Sequence, residues 1–576
     1  MRRIAATIAF LCAAVAVTFP LWEPDMWQHL RVGQMIWESR WVPTTQLWTW
    51  PTYGAPDVNP SWGFRVLVYP FWKWGGVWGL FVWRWLTTLS ALALLLAAAR
   101  RMGARGLAPL LAVVIAALAY RERSQIRPET IVAVLMAIEI WILETRRNGG
   151  PDRSLLLMPL ALVWINCHLS YHFGFAILGV YALRDGFDRS LPGASRFRLI
   201  AVGLAGLAVS FLNPFGVRAL AEPFRFLGSE ASEPIYRTIG ELQPIRWNEH
   251  VLDGVPLVVF GWPALILWRA TRRRADLVEI LLCLLFVPFA FTAVRFVGFL
   301  ALVSLPFMAR ALDELAAAWA PRLPRLEPAR AALCVAVCIA VALPSWMTRR
   351  HGVGIEPDSA PVKACDAIER LGIRGRSYNT FSTGGYLLYR FWPEKERLPF
   401  MDVHQAGTRE TRRLYTFSLE RPEYWAELDS KFRFEWALLS RRTFDSNRLP
   451  DFLDADSTWA LVFQDDVALV LVRRTGALAT VANRNGYRIL PAGNDRLGVI
   501  GEACVRDSAL RRAMRGELAR VIAESDRHAN AEELLANLAL IEGRRDEAIM
   551  HLRRSLTIEP KDAVRKQMLR AIESGR

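Results

Sequence analysis

The sequence predicts a mainly α-helical polytopic membrane domain, followed by a small α/β domain and a helical tail. Three observations carry this. Long uncharged apolar runs recur through the first two-thirds of the chain. Arginines gather at every second turn between them. From about His351 the charge content becomes that of an ordinary soluble chain. The limits read from these shifts are 1–348 for the membrane part, 349–500 for the α/β part and 505–576 for the tail.

Composition agrees. Of 576 residues, 53% are hydrophobic, and the mean hydropathy is +0.19, values that soluble chains of this size rarely reach. The formal net charge is +16, from 71 Lys+Arg against 55 Asp+Glu. In a soluble protein that balance would raise nucleic-acid binding. Here much of the excess is arginine in short loops between apolar segments, as the positive-inside tendency requires, and no nucleic acid is expected. Of the seven cysteines, Cys12, Cys167, Cys283, Cys334 and Cys338 lie in or beside apolar segments, where cysteine behaves as a small hydrophobe. Cys365 and Cys504 fall in the soluble part and could pair. There is no CxxC, no GxGxxG after a strand and no GxxxxGK[ST].

Arg2 and Arg3 precede the apolar segment Ile4 to Pro20, which places the N-terminus in the cytoplasm. The segment reads as a first span rather than a cleaved signal, because its small-residue pair Ala14 and Ala16 lies inside the apolar core. A polar, aromatic loop runs from Asp25 to about Gly75, with helical character over Met26 to Glu38 and breaks at Pro43, Pro51, Pro56 and Pro60. Its many tryptophans suit the headgroup layer, as anchors first and as sugar-stacking surfaces second.

Further spans are expected over Val77 to Ala99, Leu107 to Tyr120, Thr130 to Leu143, Leu155 to Cys167, Phe173 to Leu183 and Leu199 to Leu212. After the outer loop Asn213 to Gly254 come Val255 to Trp268, Leu277 to Ala293, Phe296 to Met308, a linker with Pro321, Pro324 and Pro328, and Ala331 to Pro344. That makes about eleven spans, several shorter than the usual ~20 residues. The returns carry Arg100, Arg146, Arg184, Arg269 and Arg310, so the C-terminal part lies outside.

Beyond His351, strands are expected over Ser377 to Asn379, Leu398 to Val403, Phe434 to Ser440, Trp459 to Phe463 and Val467 to Val472. Helices are expected after Gly384, over Thr408 to Leu419 and from Pro422. In the tail, Ala531 to Pro560 resembles one tetratricopeptide repeat through Leu535, Gly543, Ala548, Leu552 and Pro560. One repeat is below the usual minimum of about three, so it must lean on a neighbour or a partner protein. A helical hairpin packed on the α/β domain is the plainer alternative.

The stretch with the densest chemistry is Leu21 to Arg31, just outside the first span. It holds Glu23, Asp25, His29 and Arg31. Asp25 is the leading candidate for an active carboxylate and Glu23 the alternative; Asp25 could equally be a helix N-cap completed by Gln28. Arg121, Arg123 and Arg127 lie in a short outer loop, and Arg295 sits alone between two later spans. Arginines on that side need a reason. An anionic lipid head would supply one, since a guanidinium fork suits phosphate. Interhelical salt bridges with Glu122, Glu129 or Glu241 would supply another. Asn166 and His168 stand at a span end. His29 and His168 could hydrogen-bond a sugar or phosphate, although His29 reads first as an interfacial helix residue in water. No cluster has clear metal spacing; Asp25 and a histidine could share a divalent cation, and no other cofactor is expected.

A cytoplasmic N-terminus, one span and an acid in a long first outer loop resemble the layout of the GT-C glycosyltransferases. Glu23 to Gly33, Trp164 to His168 and Asn213-Pro214-Phe215-Gly216 are similar to stretches in a poorly characterised bacterial branch with GT-C-like cores. Gly384-Gly385-Tyr386-Leu387 followed by Asp402 fits that branch too. The Asp-Glu pair of better-known members is absent. The resemblance implies an enzyme of the bacterial inner membrane and cell envelope that moves a sugar from a polyprenyl-phosphate donor to an extracytoplasmic glycan or protein acceptor. It implies Asp25 as general base and Arg121, Arg123, Arg127 and Arg295 as a clamp on the lipid phosphate; a cavity at the outer leaflet with Asp25 and Arg127 on opposite walls would mark such a site. A lipid-linked glycan flippase, or an inactive scaffold using the tail, are the other classes. No paired halves with broken helices favour a transporter.

Overall fold

The computed structural model describes the chain except residues 226–227, 229–231, 320–325, 403, 405–406, 442–446 and 575–576. Pro321, Pro324 and Val403 therefore fall outside the described residues. The chain divides into two compact units. One is Met1–Thr44 with Pro56–Glu356; the other is Thr45–Ala55 with Pro357–Arg576.

The first unit is helical. It opens with α1 (Arg2–Ala16), α2 (Asp25–Ser39), α3 (Trp62–Arg101), α4 (Pro109–Tyr120), α5 (Glu129–Arg147), α6 (Leu157–Cys167), α7 (Tyr171–Phe187) and α8 (Gly193–Val209). Helices Gly261–Thr271, Leu277–Thr292, Val297–Ala318 and Glu327–Thr348 follow. A helix stands at each expected span. By length and apolarity, three described helical stretches suffice to cross a membrane: Trp62–Arg101, Val294–Ala318 and Glu327–Thr348.

Local sequence explains the elements. Pro109 sits in the first turn of α4, where its missing N–H loses nothing. The apolar run that follows is buried on nearly every side, as a helix apolar all round must be. In α3 the expected span start at Val77 coincides with a kink. Gly76 has φ 50° and ψ −133° inside the continuous helix, so Trp62 to Gly75 forms a separate arm. That arm packs on α2, and Gly33 permits the approach: a Cβ there would lie 2.3 Å from the Arg65 carbonyl oxygen. Only a residue without a side chain lets the two backbones come so close.

The end of α1 is fixed by two buried arginines. Arg84 of α3 donates to the carbonyls of Val17 (3.2 Å) and Phe19 (2.7 Å), and Arg121 donates to that of Ala16 (2.6 Å). Both guanidiniums lie on the Phe19 ring, at 4.5 and 4.2 Å. Cations at the carbonyl end of a helix suit its dipole. Residues 354–356 then pair with Leu21: Leu21 N donates to Gly354 O (2.9 Å) and Glu356 N to Leu21 O (2.7 Å). Glu23 and Asp25 follow directly from this anchored strand-like segment.

The second unit is built on a four-stranded sheet, β1 (Ser377–Asn379), β2 (Trp436–Ser440), β3 (Trp459–Gln464) and β4 (Ala468–Arg473), in the order β1-β2-β4-β3. β1 is parallel to β2; β2–β4 and β4–β3 are antiparallel. Residues 398–402, expected as part of a strand, form no ladder. The Asn379 side chain takes the N–H groups of Phe400 (2.7 Å) and Met401 (3.2 Å) and donates to Met401 O (2.8 Å). A side-chain amide has replaced the neighbouring strand. Helices Val362–Arg370, Leu449–Ala455, Ala479–Asn485 and Asp495–Arg506 were not anticipated.

The tail leans on this sheet. The β3–β4 turn supplies Asp466, which accepts from Ala529 N and Asn530 N and so caps the helix Ala529–Ile541. Glu517 accepts from the N–H groups of Arg488 (2.7 Å) and Leu490 (2.8 Å). Cys365 and Cys504 are both free thiols.

Residues 45–55, from the first long loop, belong to this second unit. Trp50 donates its indole N–H to Ser377 O (3.0 Å) and its backbone N–H to Pro399 O (3.1 Å). Its ring packs on Phe400, Phe432 and Phe434 at centroid distances of 5.8, 6.0 and 6.3 Å. We expect Trp50→Ala to destabilise the second unit by about 3 kcal/mol, as for other large-to-small aromatic truncations. Thermal unfolding followed by protease sensitivity of residues 357–576 in the full chain measures it; an unchanged profile would contradict the packing role.

Candidate functional site

The candidate site lies where the residues before α2, the turn between α4 and α5, and two later loops meet. The α4–α5 turn is held from α3. Trp83 donates to Thr130 Oγ1 (2.9 Å), Thr130 donates to Arg127 O (2.7 Å), and Arg84 donates to Gln125 (3.2 Å). On the other side, Val294 N donates to Gln243 O (2.9 Å), which ties the loop carrying Glu241 to the turn carrying Arg295.

Arg127 is the centre. One terminal nitrogen is 2.5 Å from Glu23 Oε1 and 3.3 Å from Asp25 Oδ2; the other is bonded to Glu241. Arg123 bridges Glu129 (2.5 Å) and Glu241 (2.6 Å). Arg295 stands further off, 3.5 Å from Glu129 and 3.7 Å from Glu241. His168 Nε2 lies 4.0 Å from Glu129. Its Nδ1 is 2.7 Å from the Ser170 hydroxyl. Glu129 and Glu241 are thus the counter-charges of Arg123, Arg127 and Arg295, as the salt-bridge reading supposed.

The two acids of the first loop differ. Glu23 keeps 7% of its side chain exposed and Asp25 27%. Burial pushes the Glu23 carboxyl up to about 8; Arg127 opposes the rise, and Asp25 and Glu241 add to it. Burial raises Asp25 less, to about 6, again against Arg127. For Glu241 burial is outweighed by Arg127, Arg123 and Arg295, which hold it well below the usual carboxylate range. Burial lowers His168 to about 4, so its ring is neutral at pH 7. Near neutral pH the network therefore holds a protonated Glu23 beside an ionised Asp25.

The remaining sequence candidates lie apart from this network or at its edge. Asp25 is the first residue of α2, and its carboxyl turns to Arg127 rather than capping the helix. It meets Arg127 directly, not across a hollow. Arg121 is directed to Ala16 O and Arg350 O (2.6 Å each). His29 is buried in α2, accepts from Arg65 Nε (3.2 Å) and packs edge-on to Phe64; it is not a water-facing residue. Asn166 accepts from Trp62 Nε1 (2.8 Å) and joins α6 to α3. Among the described residues no group of three His, Cys, Asp or Glu is arranged to hold a metal ion.

No protein-family model matches the sequence, and no curated protein matches it significantly. Solved structures do. Archaeal oligosaccharyltransferase AglB from Archaeoglobus fulgidus, in complex with an inhibitory peptide and a dolichol-phosphate, superposes with a TM-score of 0.55. The identity is 14%, over 76% of this chain and 69% of that one. An apo Archaeoglobus fulgidus oligosaccharyltransferase structure gives 0.50 at 14% identity, over 77% and 70%. ArnT from Cupriavidus metallidurans in the apo state gives 0.46 at 16% identity, over 83% and 98%. The chain shares the fold of the two archaeal oligosaccharyltransferase structures.

Two outcomes follow from the charges. Arg127→Ala leaves Glu23 and Asp25 without their cation and Glu241 with Arg123 and Arg295 alone, and should cost about 3 kcal/mol, whereas Arg295→Ala, which removes only long contacts, should cost under about 1 kcal/mol; melting curves in nanodiscs compare them. The raised Glu23 carboxyl binds its proton more tightly folded than unfolded. Stability should therefore fall as pH rises from about 5 to about 8 and level off above that. In Glu23→Gln that slope should flatten; an unchanged slope would remove Glu23 from the titrating pair.

Proposed function

We propose that this chain is a glycosyltransferase of the bacterial inner membrane. It transfers a sugar from a polyprenyl-phosphate donor to a hydroxyl of an extracytoplasmic glycan or protein acceptor. Its N-terminus is cytoplasmic, about eleven helices span the membrane, and the second unit lies outside with its tail available to a protein partner. The observation that carries the reading is the asymmetry of the two acids on Arg127: Glu23 is enclosed, while Asp25 is partly open.

Asp25 takes the acceptor hydroxyl's proton as that oxygen attacks the anomeric carbon. The bond from the anomeric carbon to the phosphate oxygen breaks, and its electron pair leaves with the polyprenyl phosphate. The leaving group is already anionic, so it needs a cation rather than an acid. Arg295 suits that role best, because its side chain is 24% exposed and its carboxylate contacts are long. Arg123 and Arg127 position the acids. The structures that share the fold support the donor class: one is described with a dolichol-phosphate.

The test is release of polyprenyl phosphate from polyprenyl-phosphate sugars in nanodiscs, with periplasmic glycans and peptides as acceptors. Asp25→Asn should reduce it roughly 10²–10⁴-fold, the usual contribution of a positioned base, while leaving the melting temperature near wild type. The wild-type rate should rise with pH through an apparent value near 6, as Asp25 loses its proton. Wild-type rates in Asp25→Asn, or no release by the wild type with any donor, would overturn the proposal.

A further inference from the structure

His172, the second residue of α7, stands beside the charged network with one ring nitrogen to spare. Its Nδ1 lies 2.9 Å from the carbonyl oxygen of Leu169. A carbonyl only accepts, so Nδ1 carries the proton and Nε2 the lone pair. Burial lowers the ring's pKa below the ordinary histidine value, against the Leu169 carbonyl, so the imidazole is neutral at pH 7. No described residue bonds Nε2, and the residue is half-buried rather than enclosed.

Two contacts place this ring near Arg295. The first runs through aromatic rings. Phe173 lies 4.4 Å from the His172 imidazole and meets the Phe296 ring at 5.9 Å, and Phe296 follows Arg295 directly. The second runs through a carboxyl. His168 and Arg295 both approach Glu129, at 4.0 and 3.5 Å. The start of α7 and the turn of Arg295 are thus joined at two points, and His172 lies in sequence between them. Beyond the imidazole stands Phe224, 63% exposed, with its ring 6.4 Å away.

We propose that His172 reads the donor sugar. With the donor's phosphate on Arg295, Nε2 accepts a hydrogen bond from a hydroxyl or amide N–H on the ring carbon next to the anomeric carbon. The inference rests on the glycosyltransferase reading. The phosphate is bonded to the anomeric carbon, so the substituent on the neighbouring carbon is among the sugar groups nearest the cation. A fixed lone pair demands a hydrogen-bearing group there. A deoxy sugar offers none and leaves the nitrogen unpaired, which is how a polar site rejects an analogue. The Phe224 ring offers an apolar face to the sugar's C–H groups.

Native mass spectrometry of the detergent-solubilised full chain tests this by binding alone. The probes are decaprenyl phosphate and its glucose, mannose, N-acetylglucosamine and 2-deoxyglucose conjugates. At least one of the first three conjugates should bind about tenfold more tightly than the 2-deoxy lipid. His172→Phe should bring it down to the 2-deoxy level while leaving decaprenyl phosphate and the 2-deoxy lipid unchanged. His172→Gln, which returns an acceptor oxygen, should restore part of the difference. Arg295→Ala should weaken every probe, the bare phosphate included. If the wild type binds the 2-deoxy lipid as tightly as all three parents, the role of His172 is overturned without reference to any variant. Undiminished discrimination in a His172→Phe that melts as the wild type does overturns it too. No saturable binding of decaprenyl phosphate by the wild type overturns the donor reading, and this inference with it.

Discussion

One guanidinium holds one end of the helical unit together. Arg127 faces Glu23, Asp25 and Glu241, which come from sequence positions more than a hundred residues apart on either side. None of these acids is in bulk water, so charges on all three would repel strongly, and the shared cation offsets that repulsion. The planar fork of arginine offers two faces of donors at fixed angles, which is what allows three carboxylates to use one side chain. Everything else at this end serves to keep that guanidinium still. Trp83 and Thr130 fix its carbonyl, Arg84 and Gln125 fix the turn before it, and Leu21 paired with Ile355 fixes the approach of Glu23.

A second network lies at the far end of the same unit. Arg147 meets Asp276 (2.7 Å), and Arg310 meets Asp276 (2.8 Å) and Glu279 (2.7 Å). Glu279 also pairs with Arg269. Helix α5 runs from the first network at Glu129 to the second at Arg147, about 28 Å apart along its axis. That distance is close to the thickness of a hydrocarbon layer. Polar clamps at both ends of a bundle pin helix register, while the apolar middle only needs to exclude lipid. Glu139 interrupts that middle, and for this reason its carboxyl cannot be read as another clamp.

What could be read from the sequence followed from local rules. Hydrophobic runs and arginine turns located the helices, because each depends on neighbours within about twenty residues. Four of the five strands appeared where alternation and turn residues placed them. The fifth was lost at Leu398 to Asp402 because an Asn379 side chain took the backbone donors, a substitution no periodicity records. Within the site, Asp25, Arg123, Arg127 and Arg295 stood out as charges out of place beside apolar runs. Their separation into an enclosed acid, an open acid and a loose cation could not be seen, since it depends on Glu241 arriving from 114 residues beyond Arg127. Arg121 looked the same as Arg123 in sequence. Two residues along a turn point it instead to the carbonyl end of α1.

The charge balance bears on how an anionic donor could be accepted. Glu23, Asp25, Glu129 and Glu241 face Arg123, Arg127 and Arg295, so carboxylates outnumber guanidiniums by one. A phosphate placed there would add to the excess. The proton on Glu23 removes it: with that acid neutral, the network is balanced before the donor arrives. Arg295, least engaged by carboxylates, is then the cation with most to gain from a phosphate oxygen. On the proposed reading, Glu23 is thus not a spare base. Its role is to stay uncharged, so that the remaining carboxylates are matched one for one by guanidiniums when the anion arrives.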